Sequence, residues 1–405
     1  MKNITKILAV LGLLALTSCD FFLQKPDTTG TVDRDAVFST KKNAEAALMS
    51  CYSNALIHGL PGGLGYTHGT LGAISGEINR GASWHGTYFI AQQGLSVNGA
   101  GSDATDSSNG SSAGSENWAK NWSVIRQCYI VKENIDLVED MTQDEKDMIK
   151  AEVTALIAYR YMGMFYRYGG VPIVTRSFEA SDDLSAGRAT LEETLQHIID
   201  LCDEAYAGLP AKQKTENTGR MTQGAVLAIK ARALMFAARP LFNSATPYLN
   251  NGELNNLICF GNADKERWND AIEANEAVLT WAAANGVSLI STGDAFKDYA
   301  TATSTPGNKE IILAFKNNST AQDYSTYIFL YNNCSAYWTW NRFDNGESGL
   351  LSNHVKLYYK NDGTEMSWPA IGDAAPRKGS DWLENVASIE PRALADIKFA
   401  GHDAM

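Results

Sequence analysis

The stretch from Thr142 to Pro172 constrains this 405-residue chain more than any other. It opens with a Thr142-x-x-Glu145 capping box, in which each side chain can satisfy the other residue's backbone N–H in the first turn of a helix. Ala151, Ala155, Ala158, Met162, Phe165 and Tyr166 then step by three and four residues, which puts them on one helical face. Gly169-Gly170, with Pro172 just beyond, ends the run, and a short extended piece, Val171–Thr175, follows. The spacing predicts one long helix with an apolar side to bury.

Helical signals recur on both sides of it. Thr40 can cap a helix reaching about Ile57, with Ala44, Ala47, Leu48 and Cys51 at helical spacing. A second helix is expected over Trp118–Val138. A further capping box, Thr190-x-x-Glu193, starts a helix to about Tyr206. The segment from Thr222 to about Ala238 carries Gly224, Ala225, Ala228 and Ala231 on one side, and Lys265–Ala284 carries Trp268, Ile272, Asn275 and Leu279. Antiparallel helix pairs with small residues at this spacing let backbones approach closely, which is how tetratricopeptide-like arrays are built. Individual repeats do not match that consensus, so the expectation rests on helix spacing and small-residue faces. The expected fold is mainly α, a tetratricopeptide-like helical repeat scaffold over 39–285 with an irregular, loop-rich face.

Two regions break the helical pattern. Residues 58–116 hold Pro61-Gly62-Gly63 and then a stretch of Gly, Ser, Asn and Asp that cannot bury a core, so a long surface loop is expected. Residues 286–405 turn to short mixed segments, Ser288–Ser291, Glu310–Phe315 and an aromatic run from Tyr327 to Trp340, and end in loop-like sequence.

The N-terminus sets the compartment. Lys2 and Lys6 precede an apolar run, Ile7–Leu16, that is too short to span a bilayer, which takes about 20 residues, but has the length of a signal h-region. It ends in Leu16-Thr17-Ser18-Cys19, which resembles the lipobox of bacterial lipoproteins. On that reading residues 1–18 are a signal peptide, Cys19 is lipidated, and 19–38 form a polar tether. The alternative is an ordinary signal peptide containing a cysteine. No second long apolar stretch occurs, so the remainder is expected to be soluble and held to the membrane by its lipid.

Charge and cysteine use exclude several classes. The formal charge is −12, and −14 once Lys2 and Lys6 leave with the signal peptide, which disfavours nucleic acid and anionic headgroups as partners. Beyond Cys19, Cys51, Cys128, Cys202, Cys259 and Cys334 are odd in number and widely spaced, signalling neither a zinc site nor a disulfide framework. His58, His68 and His85 fit no metal-ligand spacing, so no metal or cofactor is expected. Gly110-Ser111-Ser112-Ala113-Gly114 spells a nucleophile elbow, but no apolar strand precedes it and no helix follows. No carboxylate pair can be singled out for glycoside hydrolysis.

Longer motifs carry a family resemblance. The segment Ala158-Tyr159-Arg160-Tyr161-Met162-Gly163-Met164-Phe165-Tyr166-Arg167-Tyr168-Gly169-Gly170-Val171-Pro172 resembles the best-kept stretch of the SusD/RagB family of Bacteroidetes nutrient-binding lipoproteins. Gly219-Arg220-Met221-Thr222-Gln223-Gly224-Ala225, running on to Leu234, is similar to its second signature, which Pro240-Leu241-Phe242-Asn243 completes. Cys19-Asp20-Phe21-Phe22-Leu23, Trp122-x-x-Ile125-Arg126 and Asn134 also match, and the set follows the family's order along most of the chain. One departure is that the family usually adds another helix pair in its C-terminal third, whereas this chain ends at Met405, shortly after Glu390-Pro391-Arg392. Either a piece of a longer protein or the loss of a last repeat is expected from that.

The resemblance implies a non-enzymatic lipoprotein on the outer face of the outer membrane. It would act as a lid on a SusC-like TonB-dependent transporter, capturing a glycan, or in some members a peptide, and passing it to the pore. A helical-repeat assembly lipoprotein with no small ligand is a third reading. A glycan site needs flat aromatic faces for sugar C–H surfaces and fixed polar groups for hydroxyls. Two segments offer both. One is Glu77-x-Asn79-Arg80-x-x-x-Trp84-His85-x-x-Tyr88, within the irregular insertion. The other is Tyr337-Trp338-Thr339-Trp340-Asn341-Arg342, which if extended sets Trp338, Trp340 and Arg342 on one side and Asn341 on the other. In each case the alternative is packing into the core. Trp118 and Trp122, on a scaffold helix, are read as packing residues.

Overall fold

The computed structural model describes residues 34–56, 77, 118–179, 181–183, 185–314, 352–367 and 385–397. Their regular structure is helical. In chain order the helices are α1 (Arg34–Val37), α2 (Lys41–Ala55), α3 (Trp118–Asn134), α4 (Gln143–Tyr168), α5 (Leu191–Gly208), α6 (Gln223–Ala238), α7 (Glu266–Asn285), α8 (Ala295–Ser304), α9 (Ser352–Val355) and α10 (Pro391–Asp396). Among the described residues, β pairing is limited to the isolated bridges Tyr359–Glu365 and Lys360–Ile389.

Local chemistry sets the helix ends where the sequence places them. Both capping boxes close: the Thr142 and Thr190 hydroxyls accept from the Glu145 and Glu193 backbone N–H groups, and each glutamate accepts in return. Thr40 and Thr222 cap α2 and α6 through their side chains. At the far end of α4, Gly169 adopts φ +73°, and a Cβ there would lie 2.1 Å from the Leu257 carbonyl oxygen. A side chain is thus excluded by both conformation and space.

Named contacts show α2 through α7 running alternately up and down. Ser50, late in α2, meets Gln127, and Asn54 meets Lys120 at the start of α3. Lys150, early in α4, pairs with Asp136 just past α3, while Tyr161 further along reaches Trp122. Late α5 returns to early α4, where a Cβ on Gly208 would sit 2.8 Å from that of Ala151. Gln223 Nε2 donates to the Tyr206 carbonyl between α6 and α5. A Cβ on Gly224 would lie 2.3 Å from the Trp281 ring, so this glycine makes room for an indole from late α7. The result is the mainly α, tetratricopeptide-like scaffold that the helix spacing implied.

One hydrophobic cluster runs from Phe38 to Phe242 and takes in α2 to α6. The periodicity of α4 suggests a single apolar side, with Ala151, Ala155, Ala158, Met162 and Phe165 indeed buried and Tyr166 half-buried. The helix is nevertheless buried all round from Ala151 to Ala158 and again from Arg160 to Phe165. It is the central member, with α2, α3, α5 and α6 packed around it. Helix α7 differs in the other direction. It packs through Ala271, Ala282 and the Trp281 ring, while Trp268, Ile272 and Leu279 are exposed. A smaller cluster of Tyr358, Val386, Ile389, Ala393 and Ile397 forms a separate knot against α8, where Asp396 accepts from Tyr299 and Tyr358.

Candidate ligand-binding face

The residues expected to hold a ligand, Asn79, Arg80, Trp84, Tyr88, Trp338, Trp340, Asn341 and Arg342, lie outside the described residues, as do Cys19 and the three insertion histidines. Glu77 is described, and it is exposed. The structure does place the base of the first segment. The chain leaves α2 at Leu56 and re-enters α3 at Trp118. Lys120 Nζ donates to Asn54 Oδ1 at 2.7 Å across those two ends. Beneath them the fully buried Arg160 donates one guanidinium nitrogen to the Asn54 carbonyl and another to Asn121 Oδ1. A buried guanidinium requires such acceptors, and here they come from both sides of the insertion.

An aromatic group stands at the same place. Trp118 meets Trp122 edge-on at 5.3 Å and Tyr168 at 5.2 Å, and Trp122 continues to Tyr161. Such edge-to-face pairs are the favoured aromatic geometry. Trp122 packs against the core as expected. Trp118 packs too, yet keeps 40% of its surface exposed. An exposed indole beside fixed amides has the composition a sugar ring needs. The only local signal for it was its position as the first helical residue after the Gly/Ser/Asn-rich stretch.

The sequence signatures prove to be joints of the scaffold. The extended piece after Gly170 is held by hydroxyls: Val174 N–H donates to Tyr161 Oη at 2.8 Å, and Tyr129 Oη donates to the Val174 carbonyl at 2.9 Å. Burial pushes both phenols well above their usual range. Phe242 packs on Phe165 at 5.1 Å. Asn243 uses its whole amide, donating to the Ala238 and Asp264 carbonyls and accepting from Asp264 N–H and Arg267. This locks the end of α6 to the start of α7.

A cleft of about 180 Å³ between α5 and α6 is lined by Cys202, Asp203, Tyr206, Val226, Leu227 and Lys230. It is smaller than the roughly 300–1,000 Å³ usual for ligand pockets, and two of its lining residues, Lys230 and Asp203, are paired with each other. It does not suit an oligosaccharide.

A sequence model of the SusD-like family, described as "Starch-binding associating with outer membrane", matches residues 77–235. Over that stretch the chain is similar to the SusD-like family. Solved SusD-like structures share the fold of this chain. A SusD-like protein from Bacteroides fragilis superposes with a TM-score of 0.64 at 20% identity, over 90% of this chain and 61% of its own. A SusD-like carbohydrate binding protein from the same species gives 0.55 at 17%, over 82% and 55%. Another from Bacteroides vulgatus gives 0.53 at 17%, over 80% and 60%. The chain thus spans between 55% and 61% of the length of these structures. No curated protein matches the sequence. None of the described helices is long and apolar enough to cross a membrane.

Proposed function

We propose that this SusD-like protein captures a poly- or oligosaccharide outside the cell and delivers it to a SusC-like TonB-dependent transporter, without cleaving it. The supporting observation is the family match over 77–235, which takes in α3, α4, α5 and nearly all of α6. The solved relatives named as carbohydrate-binding accord with it. On this reading the outer membrane holds the protein through lipid on Cys19, and residues 19–38 are its leash. The glycan rests on Trp84 and Tyr88 with Asn79 and Arg80, and on Trp338 and Trp340 with Asn341 and Arg342. Indole faces supply apolar stacking, and the amides and guanidinium groups fix hydroxyls.

Affinity electrophoresis of the purified chain against a glycan panel, beside binding to a peptide digest, tests the ligand class. Retardation by a glycan with no release of product sugars is expected. Binding confined to the peptides, or measurable product sugars, overturns the proposal. In cells, Cys19→Ala should leave ligand binding whole and abolish uptake, and uptake that survives the change breaks the lid model.

A further inference from the structure

Arginines and aromatic rings form one band across α4 and α6. Tyr166, near the end of α4, stacks on Phe236 of α6, with ring centroids 4.8 Å apart and planes tilted by 30°. The Arg167 guanidinium lies over Tyr166 and that of Arg239 over Phe236, each 4.8 Å from the ring centroid. Arg232, Met235, Phe236 and Arg239 step by three and four residues along α6 and so share one face. Arg232, Met235 and Arg239 are exposed, and the two rings are half-buried against the core.

The band lacks counter-charge. No Asp or Glu occurs between Glu152 and Glu179, nor between Glu216 and Glu253, in a chain that carries 46 of them. The Arg232 and Arg239 side chains meet no carboxylate among the described residues. By contrast, Lys230 on another side of α6 pairs with Asp203 of α5, and Arg176 and Arg392 pair with Asp182 and Glu390. A guanidinium laid on a ring keeps its N–H edge for a carboxylate and loses less freedom on gripping one.

We propose that this band binds the carboxylates of an acidic polysaccharide, one built of uronic-acid residues. The saccharide class rests on the reading of the chain as a glycan-capturing protein, whereas the need for negative charge rests on the band alone. Arg232 and Arg239 are seven residues, about 10.5 Å of helix, apart, so one polymer lying along α6 meets both. Each guanidinium takes a carboxylate through paired N–H···O bonds. Met235 and the exposed parts of the rings meet the sugar C–H surface. The net charge of −12 repels such a polymer from the rest of the protein, which directs it to the acid-free band.

The test is calorimetric titration of the full chain with polygalacturonate, with its methyl ester and with poly-glutamate. Binding to polygalacturonate that weakens as salt is raised, and much weaker binding to the uncharged ester, are expected. Arg232→Gln combined with Arg239→Gln should cost on the order of tenfold in affinity, with melting temperature unchanged because both side chains are exposed. Arg239→Lys, which keeps the charge but not the fork, should fall between the two. Lys230→Gln should bind as the parent does. No binding to polygalacturonate, equal binding to its ester, or a double variant that binds undiminished overturns the proposal. Poly-glutamate held as tightly as polygalacturonate also overturns it and makes the band a surface for acidic peptides. A neutral glycan retained in the panel above would leave the proposed function standing where this inference fails.

Discussion

The Arg220 guanidinium closes two hydrogen bonds, at 2.8 and 2.5 Å, on the Glu152 carboxylate, whose side chain is wholly shielded from solvent. Tyr52 Oη donates to the same carboxylate at 2.6 Å and accepts from Met221 N–H at 2.7 Å. Burial pushes the Glu152 carboxyl up, and the guanidinium and phenol oppose that shift. The centre of α4 is thereby tied to α2 and to the turn before α6.

Removing one member strands the others, because an uncompensated buried charge is far more costly than the pair is stabilising. Arg220→Met should lower stability by about 3–5 kcal/mol in urea denaturation. Tyr52→Phe, which leaves Met221 N–H without its acceptor, should cost about 1–3 kcal/mol. The double variant should lose less than the sum, since the residues act as one network. Strict additivity would show that the three do not form one.

The glycines separate conformation from space. Gly169→Ala meets positive φ and a backbone oxygen together, so a loss on the order of 3 kcal/mol is expected. Gly224→Ala meets only the Trp281 ring, which can shift, and should cost about 1–3 kcal/mol. Gly187, with open space where a Cβ would sit, should accept alanine within about 0.5 kcal/mol. Thermal unfolding of the three, side by side, checks the order.

His197 should give the fold an acid limb. Its ring lies edge-on to Tyr161 at 4.6 Å, and its buried Nε2 has no hydrogen-bond partner among the described residues. Burial lowers its proton affinity, Asp200 and Glu204 oppose that, and Lys132 adds to it. The folded chain therefore binds this proton less readily than the unfolded chain. Its contribution is fully present above about pH 6.5, the ordinary histidine value, and is lost as pH falls through that value toward the folded one. In His197→Phe, stability should fall less between pH 7 and pH 5. An unaltered slope there would dismiss the histidine as its source.

The ligand assignment is tested by three truncations. Trp84→Ala, Trp338→Ala and Trp340→Ala should each weaken glycan binding by roughly 1–3 kcal/mol, the usual loss for an aromatic anchor, with unchanged melting temperature. Calorimetry reads the affinity. Unchanged binding in all three would sink the site while leaving the family resemblance over 77–235 intact.

Helix ends were legible in the sequence because their chemistry is local. Thr142 with Glu145, Thr190 with Glu193 and Gly169 each act within four residues, and the structure uses all of them. The all-round burial of α4 was not legible. Glu152, Thr154 and Arg160 are polar residues that the spacing does not mark as buried, and the groups that satisfy the two charges, Arg220 and Asn121, lie far along the chain. Helix α7 misleads in the opposite sense, since Trp268, Ile272 and Leu279 mark its exposed surface, while Ala271, Ala282 and the Trp281 ring make its contacts. Within the predicted site, composition could nominate aromatics such as Trp84 and Trp338, but not the partial exposure of Trp118, which depends on the rings of Trp122 and Tyr168.

Arg160 gives the insertion a fixed doorway. With Asn54 and Asn121 pinned to one guanidinium, the distance between the two door posts is set by the scaffold, whatever is strung between them. The scaffold therefore sets the separation of Asn54 and Asn121 without reference to the length of chain between them.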